Sequence, residues 1–284
     1  MSKYKKLLVA VDGSASSMHA LEESFRLSKE GTVVVSVAPP FTVDLRIGAE
    51  REIQKMLKEP CETALAKADE MSRAAGATII SICAMGLPHE RIVDLSESEG
   101  CDLIVMGAKG MLSLEKTLMG DTTAKVIGYS VKDVLVVPEK STLNLDKILV
   151  ATDGSEYSRR ALARAMDFAE SYGCEMDMVS IVEILPEIYS IAPQAVAERV
   201  EKTEEYLAGL KKQAASRGIT SRGFVQDSAE PYNVITEIAQ KEQVGLILMG
   251  SHGRTGLSRI LMGSTAERVI AHAPCPVLVV KTSC

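Results

Sequence analysis

Residues 6–14 read KLLVAVDGS and residues 147–155 read KILVATDGS, with seven of nine positions identical at an offset of 141. Each copy is a short apolar run that stops on Asp-Gly-Ser. A run of that length bounded by a turn signal suits a strand buried on both faces, and the serine after Asp-Gly suits the cap of a following helix. The repetition extends outward. Residues 102–130 align with 245–273 at an offset of 143, with 12 of 29 positions identical, including Met106-Gly107 against Met249-Gly250 and Leu118-Met119-Gly120 against Leu261-Met262-Gly263. Each half also ends in VLVV, at 134–137 and 277–280. A period of about 140 residues is a domain and not a solenoid unit. The chain reads as a tandem duplication, with domains over 1–140 and 145–284 and a short linker at about 139–146.

The second half is the cleaner one to read. Strands are expected at 148–152, 176–182, 220–225, 246–249 and 277–281. Ala161, Leu162, Ala165, Met166 and Ala169 follow helical spacing after the first strand, and Gly173 stops that helix. A loop carrying Pro186 and Pro193 follows the second strand, then a long polar helix over 194–217 closed by Gly218. Further helices are expected at 232–241, with Pro231 near the first turn, and at 264–272. The first half repeats the order, with strands near 7–11, 32–37, 78–83, 103–106 and 134–137. Continuous apolar strands alternating with helices mean a parallel sheet covered on both faces. The fold class is therefore α/β: two tandem doubly wound domains, each a five-stranded parallel sheet of order 3-2-1-4-5. In that order the switch point lies between strands one and four, and ligands bind beyond the carboxyl ends of those strands.

The loops at that point carry the right chemistry. After strand one of the second half comes Asp153-Gly154-Ser155. After strand four comes Gly250-Ser251-His252-Gly253, and nine residues later Gly263-Ser264-Thr265 opens a helix. Glycines let backbone N–H groups approach an anion without a Cβ in the way, and a helix start adds unpaired N–H groups and the positive end of the dipole. Asp153 is placed to accept hydrogen bonds from a ribose. Any one of these segments alone is explained by turns and caps; two of them meeting at one crevice point to a ligand.

Composition narrows the partners. The 284 residues are 46% apolar and 25% charged, ordinary for a globular chain, and no stretch reaches the ~18 apolar residues of a membrane span. The start, MSKYKK, leads straight into a strand, so no signal peptide is expected. Thirty-two basic and 38 acidic residues give a net charge of −6, split evenly between the halves, and no basic stripe suggests nucleic acid. The cysteines, at 61, 83, 101, 174, 275 and 284, form no CxxC and no zinc spacing. They read as reduced thiols in a cytoplasmic protein, with Cys284 terminal and exposed. GxxxxGK[ST] and a GxGxxG turn are both absent, and the four histidines offer no nucleophile–base pair. His89 follows Pro88 at a helix start and suits a cap.

The arrangement resembles the universal stress protein family, over essentially the whole chain as two copies. The family's G-x2-G-x9-G-[ST] motif stands complete as Gly250, Gly253, Gly263 and Ser264. The resemblance implies ATP binding, with Mg²⁺ or Mn²⁺ bridging the phosphates. It implies that Asp153 contacts the ribose, that the backbone of Ile181 meets the adenine, and that Gly250, Gly253, Gly263, Ser264 and Thr265 hold the phosphates. His252 is either phosphate-proximal or loop surface. The first half departs from the motif: Asp12, Val37, Gly107, Gly110, Gly120 and Thr122 keep their places, but Asp121 stands where the hydroxyl belongs. A carboxylate about 5 Å from a phosphate, at an effective dielectric near 20, is repelled by roughly 3 kcal/mol per unit charge, with Lys109 and Lys116 as partial offsets. That pocket reads as degenerate, as a site for a nucleoside or other small polar ligand, or as one where Asp121 bridges a metal. The function implied is an ATP-binding protein of stress response or signalling with at most slow hydrolysis and no assigned catalytic residue. The alternative is a non-enzymatic interaction module with vestigial pockets.

The apolar last strand of each half predicts an intramolecular pseudo-dimer, since open apolar edges invite pairing; a homodimer of whole chains is compatible with it. Halves expressed separately should dimerise or aggregate in size-exclusion chromatography, and two stable soluble monomers would overturn the expectation.

Overall fold

Burial on both faces is what the central apolar runs demand, and the computed structural model, which describes residues 4–28, 31–40, 50–110, 119–253 and 262–281, meets that demand twice. The chain divides into two units at Lys140 and Ser141. The first contains β1 (Leu7–Ala10), α1 (Ala15–Ser24), β2 (Thr32–Ala38), α2 (Glu50–Ala74), β3 (Ile79–Met85), α3 (Pro88–Ser98), β4 (Leu103–Gly107), α4 (Asp121–Tyr129) and β5 (Asp133–Val137). Its strands are all parallel, in the order β3-β2-β1-β4-β5. The second contains β6 (Lys147–Ala151), α5 (Glu156–Tyr172), β7 (Glu175–Glu183), α6 (Pro186–Ile191), α7 (Pro193–Ser216), β8 (Ser221–Ser228), α8 (Pro231–Lys241), β9 (Leu246–Gly250), α9 (Ser264–His272) and β10 (Val277–Val280). Its strands are parallel too, in the order β8-β7-β6-β9-β10. Both units thus have the expected 3-2-1-4-5 order.

The local reasons repeat. Every residue of β1, β4, β5, β9 and β10 is buried, whereas β3 and β8, at the far side of their sheets, are partly exposed along their length. Ser14 caps α1 by accepting the Ser17 N–H, and Ser155 caps α5 by accepting the Ser158 N–H. Gly13 and Gly154 sit before these caps at φ +84° and +79°, a conformation that side-chain-bearing residues rarely adopt. Gly173 closes α5 in the left-handed conformation. Two expectations differ. His89 is not a cap: Leu87 is the N-cap of α3, with no side-chain hydrogen bond, and the His89 ring lies 5.6 Å from that of Tyr129. The stretch with Pro186 and Pro193 was expected as a loop, and it contains α6, because each proline stands in the first turn of a helix, where its missing N–H costs nothing. This short helix leaves Leu185, Ile188, Tyr189 and Ile191 exposed.

Among the described residues no helix is long and apolar enough to cross a membrane. Cys61, Cys83, Cys101, Cys174 and Cys275 are free thiols; Cys284 lies outside the described residues. Burial pushes the Cys83 and Cys275 thiols up to about 12 and those of Cys101 and Cys174 to about 11, with the Cys61 side chain adding to the effect at Cys83. Thiols so raised carry little thiolate near neutral pH and are poor nucleophiles.

The one carboxylate sunk inside β7, Asp177, has a side chain 2% exposed. Arg222 on β8 takes it bidentately, Nε to Oδ1 at 3.0 Å and Nη2 to Oδ2 at 2.6 Å, and reaches Glu242 at 2.6 Å. Those partners raise the Arg222 pKa above its ordinary value, and the guanidinium holds the Glu242 carboxyl below the usual range. Arg222→Met should strand the Asp177 charge and cost about 2–3 kcal/mol, below the full buried-pair value because Arg222 is half exposed. Urea denaturation checks this: adding Asp177→Asn should recover most of the loss, and an unchanged midpoint in Arg222→Met would refute the assignment.

Candidate functional site

The site begins where β6 ends. The Thr152 N–H donates to the Val179 carbonyl at 2.9 Å, and the chain then turns through Asp153-Gly154-Ser155. Asp153 is held at both ends. Its Oδ1 accepts the Ser155 N–H at 3.0 Å, and its own N–H donates to Ser158 Oγ at 3.3 Å. Its Oδ2 faces the loop after β9: a Cβ added at Gly253 would stand 3.0 Å from that oxygen. The two loops expected to converge at the switch point therefore come close enough that one added carbon would bring them into contact.

Each glycine of the motif has its own physical reason. Gly250 ends β9 directly under α5, where a Cβ would come within 2.7–3.0 Å of Tyr157 Cβ, carbonyl carbon and oxygen. That glycine is required by helix-on-strand packing, whatever else it does. Gly263 donates its N–H to the Ser251 carbonyl at 2.9 Å and caps α9 with no side-chain hydrogen bond. The first-turn N–H groups of such a helix are its unpaired ones, and Ser264, exposed, and Thr265, half-buried, stand on that turn. Ile181 lies in β7 opposite Gln226, two residues beyond the carbonyl that receives Thr152, so it sits at the same carboxyl edge as Asp153. His252 is half-buried; its Nδ1 lies 3.1 Å from Ser251 Oγ, and its ring packs on Tyr157 at 5.1 Å between centroids. It is anchored on α5 and is not bare loop surface.

Beside Asp153 opens a pocket of about 430 Å³ that the sequence did not announce. It is lined by Asp153, Gly154 and Ser180, and by Arg199, Lys202, Thr203 and Tyr206 from α7. The Tyr206 hydroxyl lies 3.0 Å from Thr152 Oγ1, which lies 3.3 Å from Ser158 Oγ. The signal was there as i, i+3, i+4, i+7 spacing, but on a helix rich in charge such a face looks like any solvated one. A second cavity, of about 330 Å³ with Gly173, Cys174, Arg217 and Gly218 in its lining, lies at the opposite ends of β7 and β8, away from the motif.

The first unit builds the same corner with different side chains. Asp12 Oδ1 accepts the Ser14 N–H at 3.0 Å, and a Cβ on Gly110 would lie 2.9 Å from Asp12 Oδ2. Gly107 packs on α1 as Gly250 does on α5, with Ser16 Oγ 2.5 Å from where a Cβ would be. Gly120 donates its N–H to the Ala108 carbonyl at 2.9 Å and caps α4, whose second residue is Thr122. Val37 stands in β2 opposite Ala84, as Ile181 stands in β7. Asp121 differs from the expectation in one respect. Its carboxylate is paired with Lys125 Nζ at 2.7 Å, one turn along α4. Lys125 is thus an offset to Asp121 beyond the expected Lys109 and Lys116; Lys116 lies outside the described residues. Both members of the pair are exposed, so it softens the charge without cancelling it.

Among the described residues no three His, Cys, Asp or Glu side chains come together as metal ligands. The sequence profile of the Universal stress protein family matches residues 3–138 and again 144–281. A universal stress protein of Methanocaldococcus jannaschii is 39% identical over 139 residues, covering 48% of this chain and 81% of that protein. One of Mycolicibacterium smegmatis is 27% identical over 294 residues, covering 97% of this chain and 96% of the relative. The crystal structure of a universal stress protein from Archaeoglobus fulgidus is similar with a TM-score of 0.75 over 98% of each chain at 24% identity, a likeness of fold.

The two motif glycines after β9 should separate by experiment. Gly250→Ala sets a Cβ against helix backbone and should cost about 1–3 kcal/mol in thermal or urea unfolding. Gly253→Ala meets only the end of the Asp153 side chain and should stay within about 0.5 kcal/mol. The reverse ranking would refute the packing role of Gly250.

Proposed function

The chain belongs to the universal stress protein family, in two tandem copies, and from that premise we propose that its second half binds ATP at the carboxyl edge around Asp153. The observation that carries the reading is the close approach of Asp153 to Gly253 beside a helix that starts on a bare glycine cap. In this reading Asp153 accepts the ribose hydroxyls, and the Ile181 backbone meets the adenine. The loop from Gly250 to Gly253 admits the phosphates. The α9 start, with Gly263 as cap and Ser264 and Thr265 on its first turn, receives their charge. Mg²⁺ or Mn²⁺ would ride on phosphate oxygens and water, which suits a hard cation that keeps its waters. The nucleotide is held and at most slowly hydrolysed, since none of the residues assigned to the site pairs a nucleophile with a neighbouring base. Such a protein would report nucleotide state in stress response or signalling.

The first half is the weaker site. Asp121 places a negative group at the start of α4, where a phosphate would otherwise go, and Lys125 neutralises part of it.

Mass spectrometry of nucleotide released from purified protein, followed by calorimetry, tests the proposal. Gly263→Asp should weaken ATP by about tenfold or more, since it sets bulk and charge at the α9 cap; unchanged affinity would sink the assignment. The unmodified chain should bind about one tight ATP. Asp121→Ser should tighten a weak second phase by about tenfold, less than bare repulsion implies because Lys125 already screens the carboxylate. Equal tight occupancy of both halves in the unmodified protein would refute the inequality.

A further inference from the structure

The duplication supplies an internal control for the pocket beside Asp153. Helices α2 and α7 end at Ala74 and Ser216, and their closing glycines, Gly76 and Gly218, both have positive φ, so the helices align at an offset of 142. At that offset Arg199, Lys202, Thr203 and Tyr206 correspond to Leu57, Pro60, Cys61 and Ala64. The face that lines the pocket in the second half is apolar or nearly so in the first. The change is coordinated with the strand end: Thr152, which meets Tyr206, corresponds to Val11. A set of polar residues from two elements therefore belongs to the second half alone.

The charge on this face is also unspent. Arg199 and Lys202 form no ion pair among the described residues, although α7 is rich in acids. Glu198, Glu201, Glu204 and Glu205 are not in the pocket lining and lie about 90° or more from the centre of the 199–202–203–206 face at 100° per residue. Two cations against Asp153 leave the pocket with one excess positive charge. Thr203, Ser180 and Tyr206 add hydroxyls to the same pocket. Asp153 thus stands between two regions suited to anions. On one side are Gly253 and the glycine-capped start of α9; on the other are the cations of α7.

We propose that the α7 face is a second phosphate subsite, and that the site favours an adenine nucleotide phosphorylated on both sides of its ribose, at the 5′ oxygen and at the 2′ or 3′ oxygen. The inference rests on the assignment of Asp153 to the ribose. One ribose hydroxyl still donates to Asp153, while a phosphate on its neighbour meets Arg199 in its planar donor fork and Lys202 as a point charge. An ordinary nucleoside triphosphate leaves those cations unused.

Calorimetry with AMP, ATP, adenosine 3′,5′-bisphosphate and adenosine 2′,5′-bisphosphate, on the full chain and on Arg199→Gln/Lys202→Gln, tests this. Both residues are exposed on a helix, so the double variant should fold, with circular dichroism as the check. One bisphosphate should bind about tenfold or more tighter than AMP. The double variant should lose that advantage, with a bisphosphate penalty at least about tenfold greater than its penalty for AMP or ATP. Three results overturn the subsite: bisphosphates no tighter than AMP, an advantage that survives in the double variant, or equal weakening of ATP and bisphosphate. ATP binding without a bisphosphate advantage removes the subsite and leaves the ATP reading standing. Failure of every adenine nucleotide to bind removes both.

Discussion

The close approach of the first helix of each unit to the end of its fourth strand is the constraint on which the rest depends. At Gly107 and Gly250 a single added carbon would lie 2.5–2.8 Å from the nearest atoms of Ser16 and Tyr157, with helix backbone among them. No side chain fits there, so the helix settles against the strand. Its cap, its Asp-Gly turn and the loop beyond the strand are then drawn into one corner. The closeness of Asp153 to Gly253, and its twin between Asp12 and Gly110, follow from that approach. Gly107 and Gly250 are in this fold packing residues first, and the corner beside them is a consequence of that packing.

Much of this was legible in the chain because the relevant forces are local or strongly periodic. The buried strands declare themselves as unbroken apolar runs, and Ser14 and Ser155 declare themselves as caps by following Asp-Gly. The strand order was legible through the switch-point chemistry, since glycines and hydroxyls follow strands one and four. What stayed hidden depends on which way a side chain faces. Pro186 and Pro193 looked like breakers because a proline reads the same whether it ends a helix or starts one. Lys125 stands one helical turn from Asp121, so its spacing was legible, but only the folded helix shows the two side chains in contact. The α7 pocket face was invisible because Arg199 and Lys202 sit among glutamates, and only the fold shows which side of the helix turns toward Asp153.

The two halves also show what duplication leaves free to change. The corner geometry is kept, down to the hydrogen bonds of Asp12 and Asp153 with the serine two residues on. The lining is not kept. Val11 corresponds to Thr152, Leu57 to Arg199 and Asp121 to Ser264. The backbone geometry of the corner has been held, with its Asp-Gly-Ser turn and glycines, while side chains around it have diverged, including Ser16 against Tyr157 at the glycine contact itself. The buried Asp177–Arg222 pair belongs to neither pattern, since it fastens an outer strand of one unit far from either loop.

The hydrogen bonds from Gly120 to Ala108 and from Gly263 to Ser251 join the two ends of the stretch between strand four and the following helix. Each is a clasp closed by backbone atoms, so the two ends are joined without help from a side chain. The residues between, MLSLEKTL in one half and RTGLSRIL in the other, share only two leucines in register. Where the two ends of a chain segment are held together, each doubling of a flexible length between them costs only about 0.6 kcal/mol of closure entropy. The clasp therefore marks two points in the sequence, between 110 and 119 and between 253 and 262, where an epitope, a fluorophore attachment peptide or a small reporter domain can be inserted without touching the strands and helices whose ends the hydrogen bond joins.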